Sequence, residues 1–219
     1  MQLSVVIPTL NAASTLAACL ERVQGVPEIL VVEGGSDDIT RDVAKAHGAR
    51  IIAAPRGRGQ QLAAGADAAT GDWLLFLHAD TLPGRGWRAA AEAHAGAHPD
   101  KAACFRFRLS EKHWQARAIE RGVAARVALF GLPYGDQGLL VSRRLYDETG
   151  GYRALPLMED VDFVRRIGRS RLTLLGEDAF TSGARWRRDG WVRRSVRNLA
   201  CLTLYRLGMP PERLARLYG

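Results

Sequence analysis

Apolar and polar positions along this chain switch period repeatedly. Leu3–Pro8 is a short, nearly unbroken apolar run, the pattern of a buried strand. Ser14–Val23 then places Leu16, Cys19, Leu20 and Val23 on one helical face, with Ser14 as a candidate cap. Glu28–Val32 predicts a second strand, Ile39–His47 a helix, Arg50–Ala54 a third strand, Gln60–Ala69 a helix and Asp72–Leu77 a fourth strand. A glycine- and arginine-rich loop, Pro55–Gly59, separates the third strand from its helix. Strands alternating with helices predict an α/β fold with a mostly parallel central sheet and right-handed crossovers.

The second half is less regular. Helices are expected over Gly86–His98, Ser110–Phe130, Arg143–Thr149, Asp160–Ile167 and Trp191–Leu207, and strands over Ala102–Leu109, Gly138–Ser142 and Leu172–Leu175. Gly150-Gly151-Tyr152 breaks the chain. With no internal repeat, low-complexity tract or linker, residues 1–219 read as a single domain.

Composition narrows the class. Of the 219 residues, 47% are apolar and 25% charged, which is a globular composition. No apolar stretch approaches the roughly 18 residues of a membrane span, and the opening residues are not expected to act as a secretory signal. Cys19, Cys104 and Cys201 lie far apart and read as reduced thiols of a cytoplasmic protein. The net charge is +8, and residues 180–219 carry nine arginines against Asp189 and Glu212. That basic end suits an anionic membrane surface, a polyanion or a phosphate-bearing ligand; a bias toward arginine in the genome explains it equally. Trp191–Leu207 is both basic and amphipathic, so a peripheral position at the inner membrane face stays open, although packing on the domain with the arginines outward is favoured.

The most informative chemistry is His78-Ala79-Asp80, at the end of the apolar run Trp73–Leu77. A strand there delivers the triplet to the carboxyl edge of the sheet, where open α/β folds bind ligands. Asp80 is the principal candidate ligand for Mg²⁺ or Mn²⁺. His78 is either a second ligand, which would favour Mn²⁺, or a neutral hydrogen-bonding neighbour. A cation so placed can hold a diphosphate. Glu33 at a strand end suits a ribose or base, and Gly34-Gly35 lets backbone approach a flat ligand, while Ser36 and Asp37 serve either the ligand or the cap of the next helix. His94 and His98 are four apart on a helix but lack the glutamate of a zinc-protease motif and read as surface residues.

Taken together, Val5–Asn11, Val31–Thr40, Arg56–Leu62 with Ala69–Asp72, His78–Asp80 and Met158–Asp160 resemble, in order and spacing, the family 2 glycosyltransferases of the nucleotide-diphospho-sugar transferase (GT-A) fold. The likeness spans nearly the whole chain and is strongest to a small, soluble, bacterial subgroup carrying His-Ala-Asp and Gly135-Asp136-Gln137-Gly138. It implies inverting transfer of a sugar from a nucleotide-diphospho-sugar, most simply a UDP-sugar, to a hydroxyl on a small-molecule or lipid-linked acceptor, with Mn²⁺ or Mg²⁺ as cofactor. It assigns donor binding to Pro8, Thr9, Asn11, Glu33, Ser36, Arg58, Gln61, Ala79 and Asp80, and the metal to Asp80 and His78. Asp160 becomes the base, with Glu159 the runner-up; Asp136 and Gln137 face the acceptor, and Arg187 or Arg188 the diphosphate. It divides the chain into a nucleotide-sugar half (1–100), an acceptor-side half (101–180) and a basic helical tail (181–219). Glu33 and His78 replace the family's usual aspartates, and Ser182 stands where processive synthases carry the glutamine before Arg185-Trp186. A nucleotidyltransferase would show a glycine-rich, basic loop within Leu10–Thr15, which is absent, and no nucleic-acid recognition module accompanies the arginine tail.

Overall fold

The computed structural model describes residues 1–218; the side chains of Arg185 and Tyr218 lie outside the described set, and with them the arginine of the Arg185-Trp186 pair. In the first half, β1 (Leu3–Thr9), α1 (Ala13–Arg22), β2 (Glu28–Glu33), α2 (Thr40–Ala46), β3 (Arg50–Ala53), α3 (Arg58–Ala68) and β4 (Trp73–Phe76) alternate as expected. Then come β5 (Thr81–Pro83), α4 (Trp87–Ala97), β6 (Ala102–Leu109), α5 (Trp114–Phe130), β7 (Leu139–Ser142) and α6 (Arg143–Glu148). α7 (Glu159–Ile167), β8 (Leu172–Thr181), α8 (Ala184–Asp189), α9 (Trp191–Arg206) and α10 (Pro211–Tyr218) complete the order.

One eight-stranded sheet, ordered β3-β2-β1-β4-β7-β6-β8-β5, runs through both halves. β3, β2, β1 and β4 are parallel, β7 is antiparallel to both β4 and β6, and β6 and β8 are again parallel. Six strands therefore point one way, and only β7 and β5 oppose them. Alternation along each strand feeds two cores. Val6, Leu30, Val32, Leu74 and Phe76 pack on the side of α3 and α7, and Val5, Ile7, Val31 and Leu75 on the side of α1 and α4. The carboxyl ends of β1, β2, β4 and β8 meet at one edge, and β7 starts there because it runs backwards.

Several expectations are corrected. β8 runs to Thr181, not Leu175: its pairing with β6 shifts between Cys104↔Leu174 and Arg106↔Asp178, so a bulge around Gly176 absorbs residues that read as a strand break. β5, α8 and α10 were not foreseen, being too short for periodicity to register. Ser14 lies inside α1, which has no side-chain cap. Of the polar residues before α2, Asp38 is the cap-like acceptor, its Oδ1 taking the Thr40 N–H at 3.0 Å, while Ser36 and Asp37 are not. His94 is buried, not on the surface: its ring meets the edge of Trp73, and Nε2 lies 3.0 Å from the Lys101 carbonyl oxygen. The three cysteines are buried and unbridged.

α3 sits unusually close to the sheet because Gly65 faces it. A methyl group there would overlap the side chains of Val6 and Val32. Gly65→Ala is therefore expected to destabilise the protein by about 1–3 kcal/mol despite alanine's better helix propensity. Urea denaturation measures this directly, and an equal or higher midpoint would contradict the packing.

Candidate active site

Two adjoining cavities open at the carboxyl edge of the sheet. The first, about 490 Å³, is walled by the β1–α1 turn from Pro8 to Thr15, by Arg56–Arg58 and Gln61, and by His78–Asp80. The second, about 170 Å³, is lined by Tyr134, Asp136, Glu159, Asp160, Trp186 and Arg194, among others. Arg58, His78, Asp80 and Ser182 line both, so these residues form the wall where the two cavities join.

The first cavity is built on hydrogen bonds between strand ends. Gln61 is buried and donates both amide hydrogens, to the carbonyls of Thr9 and Val32 at 2.8 Å each, which locks β1 to β2. Asn11 adopts a left-handed φ of 51°. Its N–H donates to Ser36 Oγ (2.9 Å), and its Oδ1 accepts the Asp37 N–H (2.9 Å), tying the β1 turn to the turn after β2. Glu33 is buried and accepts the Ser36 N–H at 2.6 Å. Burial opposes its ionisation, but hydrogen bonds from Ser36 and Gly35, with Arg41 nearby, outweigh it and keep its carboxyl below the usual range. Pro8, Thr9, Asn11, Arg58, Gln61, Ala79 and Asp80 thus reach this cavity, whereas Glu33 and Ser36 support its wall from behind.

The His78–Asp80 turn is fixed at both ends. The Leu77 N–H donates to the Val6 carbonyl, the Thr81 N–H closes the turn on the His78 carbonyl, and β5 then pairs with β8. Gly135 lies against this turn. Its N–H donates to Asp160 Oδ2 at 2.8 Å, and any side chain on its α-carbon would overlap the His78 imidazole. Asp160 Oδ1 also accepts the Val161 N–H at 2.7 Å in the first turn of α7. Glu159, 3% exposed, pairs with Arg58 at 3.1 Å across the cavity.

Electrostatics follow from this crowding. Burial first, then Asp160, pushes the Glu159 pKa up against the pull of Arg58. Burial alone would lower the Arg58 pKa, but Glu159, Asp160 and Asp80 outweigh it and raise it. Asp136 lines the second cavity, its buried Oδ1 has no partner among the described residues, and burial raises its pKa to about 6. No group of three or more His, Cys, Asp or Glu side chains among the described residues forms a ready-made metal cluster. Asp80 and His78 offer one carboxylate and one imidazole, a set that leaves most positions on a hard cation to water and substrate oxygens.

Some sequence assignments are not brought to the cavities. Gln137 is buried and donates to the Phe105 carbonyl (3.0 Å), while its Oε1 accepts from Arg126, so it braces the turn and does not line either cavity. Arg187 is bound to Glu111 (2.5 Å) and Arg188 to Asp189 (2.8 Å), both outside the cavities. Tyr134, Trp186, Arg194, Asn198 and Cys201 were missed. The last three recur at helical spacing along α9, a polar stripe that the strong basic character of that helix obscured. α9 also corrects the expected orientation. Arg194 is buried, held 2.6 Å from Asp189, while Val192, Val196 and Leu199 are exposed.

The raised Asp136 pKa makes stability pH-dependent. In the folded protein this carboxyl keeps its proton to about pH 6, but the unfolded chain releases it near 4. Its contribution is therefore fully present below about pH 4 and lost as pH rises through about 6. Asp136→Asn should be more stable than the parent at pH 7, on the order of 1–3 kcal/mol, with the difference vanishing near pH 4. Paired urea titrations at the two pH values check it; a pH-independent difference would refute the shift.

Comparison with known proteins agrees with this architecture. The family model for Glycosyl transferase family 2 matches residues 4–154. The PGL/p-HBAD biosynthesis glycosyltransferase of Mycobacterium tuberculosis is 42% identical over 88 residues, covering 35% of this chain and 34% of that protein. An uncharacterized glycosyltransferase of the same organism is 38% identical over 78 residues, covering 35% and 36%. The matched stretch thus spans about a third of the length of these curated relatives. Among solved structures, glucosyl-3-phosphoglycerate synthase from M. tuberculosis, in complex with Mn²⁺, UDP and glucosyl-3-phosphoglycerate, superposes with a TM-score of 0.61 at 19% identity, covering 95% of this chain and 81% of that one. S. aureus TarS with UDP-GlcNAc gives 0.65 at 16% identity, covering 83% and 58%. These two share the fold, and with a family match over most of its length, the chain belongs to the family 2 glycosyltransferases.

Proposed function

We propose that the protein is an inverting, metal-dependent glycosyltransferase of the hexosyl type. It moves a sugar from a nucleotide-diphospho-sugar to an acceptor hydroxyl. The observation that carries this reading is the junction of the two cavities, where Asp80, His78 and Arg58 stand between a cleft at the strand ends and a pocket holding Asp160. A UDP-sugar is the favoured donor, in line with the UDP and UDP-GlcNAc in the two structural neighbours. In this reading residues 1–100 hold the donor, 101–180 the acceptor side, and 181–219 close the second cavity.

The charge inventory supports a cation. Asp80, Asp136, Glu159 and Asp160 line the second cavity against Arg58 and Arg194, and Arg194 is already committed to Asp189. A diphosphate entering beside these carboxylates needs further positive charge. Asp80 would hold Mn²⁺ or Mg²⁺ with His78 beside it, and the bound ion supplies Lewis-acid stabilisation of the departing diphosphate. Arg56 and Arg58, which line the first cavity, take the phosphate role first given to Arg187 and Arg188.

In the transfer itself, the acceptor oxygen attacks the anomeric carbon opposite the diphosphate. The bond from that carbon to the phosphate oxygen breaks, and its electron pair leaves with the diphosphate. Asp160 takes the proton of the attacking hydroxyl. Its orientation is set by the Gly135 N–H, and Asp136 offers a second carboxyl to acceptor hydroxyls. No helix among the described residues is long and apolar enough to cross a membrane. A peripheral contact through the exposed arginines of α9 remains part of this proposal.

Calorimetry with UDP is expected to show binding that strengthens with Mn²⁺ and is lost in Asp80→Ala. Asp160→Asn should retain that binding while kcat falls by roughly 10²–10⁴. Unchanged turnover in Asp160→Asn would remove the proposed base, and metal-independent UDP binding would remove the Asp80 cation site.

A further inference from the structure

A third cavity lies on the far side of Trp186. It is a groove of about 590 Å³ between α5 and α9, lined mainly by apolar side chains. Its size and lining are those of a small-molecule site. In α5, Ile119 and Val123 pack against Phe107, Leu109 and Trp186, while Trp114, Leu129 and Phe130 stay 48–75% exposed. Gly122 forms part of the wall, and a Cβ placed there meets nothing within 4 Å. Across the groove, Val192, Val196 and Leu199 of α9 are 60–76% exposed.

Two observations tie this groove to the candidate active site. Tyr134, Asp136, Trp186 and Asn198 line both it and the cavity that holds Asp160. At that shared wall sit two buried polar atoms with no partner among the described residues: Nε1 of Trp186, a residue 7% exposed, and Oδ1 of Asp136. A buried N–H and a carboxyl oxygen left unpaired are costly unless a ligand supplies their hydrogen bonds. A polar group at the junction would satisfy them, and the groove beyond would then receive whatever is attached to it.

We infer that the acceptor is an amphiphile, with its hydroxyl-bearing head between Asp136, Trp186 and Asp160 and an extended hydrocarbon chain in the groove between α5 and α9. The inference rests on the transferase reading for the role of the head, while the groove can be tested without turnover. Arg126, which lines the groove and lies 3.5 Å over the Tyr134 ring, suits an anionic neighbour to the head.

Bromohexanol, bromooctanol and bromododecanol, each brominated at the chain end, serve as probes. They join a hydroxyl head to a chain that quenches tryptophan fluorescence, and Trp114, Trp186 and Trp191 all line the groove. Affinity should rise roughly fifteenfold from bromohexanol to bromooctanol if both added methylenes are buried. Gly122→Leu, which extends into the groove from a position where an added Cβ meets nothing within 4 Å, should weaken bromododecanol binding at least tenfold. It should leave Mn²⁺-dependent UDP binding as in the parent. Val196→Glu should act likewise, by placing a charge on the opposite wall. Quenching independent of chain length, or equal in parent and both variants, overturns the inference. So does a groove closed by self-association, seen as a dimer in sedimentation equilibrium that excludes the probe, or quenching that occurs only on vesicles. If chain-length-dependent binding persists while no UDP binding is found, the groove stands and the transferase assignment falls.

Discussion

The hydrogen bond from the Gly135 N–H to Asp160 Oδ2 ties the turn after α5 to the first turn of α7 at the candidate site. Gly135 follows α5, Asp160 opens α7, and His78 ends the β4 segment, so three distant stretches of chain meet at one α-carbon. One side of that carbon must be bare for the His78 ring to lie against it, and the N–H must point at the carboxylate. Glycine meets the first condition and the short helical turn over Gly135–Gln137 the second. The reverse direction of β7 makes the meeting possible, because its first residue leaves the preceding turn at the same edge as the carboxyl ends of its neighbours. Gln137 then anchors the turn from beneath through the Phe105 carbonyl. A residue that looked like an acceptor ligand is thus a structural brace for the turn that carries Asp136.

How much of this was legible in the sequence differs by element. β1 to β4 with their helices read clearly, since strands buried on both faces give continuous apolar runs and the alternation with helices is regular. The His78–Asp80 turn was legible for the same reason: a long apolar run has to end somewhere, and its polar end marks the sheet edge. Asp136, Glu159 and Asp160 were found through the family resemblance, and the fold places them in one cavity. Arginine roles could not be read. Arg58, Arg187, Arg188 and Arg194 are chemically alike, and only the carboxylate each one meets distinguishes them: Glu159, Glu111 and, for the last two, Asp189. Such pairings join residues up to 101 positions apart, beyond the reach of any local pattern. β8 was cut short at Gly176 because a bulge and a strand end carry the same local signal.

α9 illustrates why an amphipathic pattern can be right about periodicity and misleading about direction. Its apolar positions were expected to face the protein and its arginines the solvent. Instead Arg194 turns inward to Asp189 and lies 5.1 Å over the Trp186 ring, while part of the apolar face borders the open groove. The buried cation is tolerable because Asp189 accepts from Arg188, Arg194 and Arg197 together. Those bonds hold the Asp189 carboxyl down to a pKa of about 2, so the cluster keeps its charges across the physiological range. The second half of the helix docks through Cys201 and Leu202, with Leu204 and Tyr205 against the same core, while Val192, Val196 and Leu199 stay exposed.

The choice of base between two adjacent carboxylates turns on what each is already doing. Glu159 and Asp160 both sit in the first turn of α7, where the helix dipole favours negative charge, after Met158 in a left-handed conformation. Burial and its neighbour both raise the Glu159 pKa, which taken alone would favour it as a base. Yet its carboxylate is held by Arg58, and deep burial leaves little surface from which to reach an acceptor. Protonating Glu159 would break the ion pair that positions Arg58. Asp160 is more exposed, and its two hydrogen bonds come from backbone N–H groups that need no protonation state of their own. Geometry takes precedence over pKa in assigning a base. In the proposed transfer, Asp160 is thus the carboxylate suited to receive the proton, and Glu159 the one suited to keep Arg58 directed at the diphosphate.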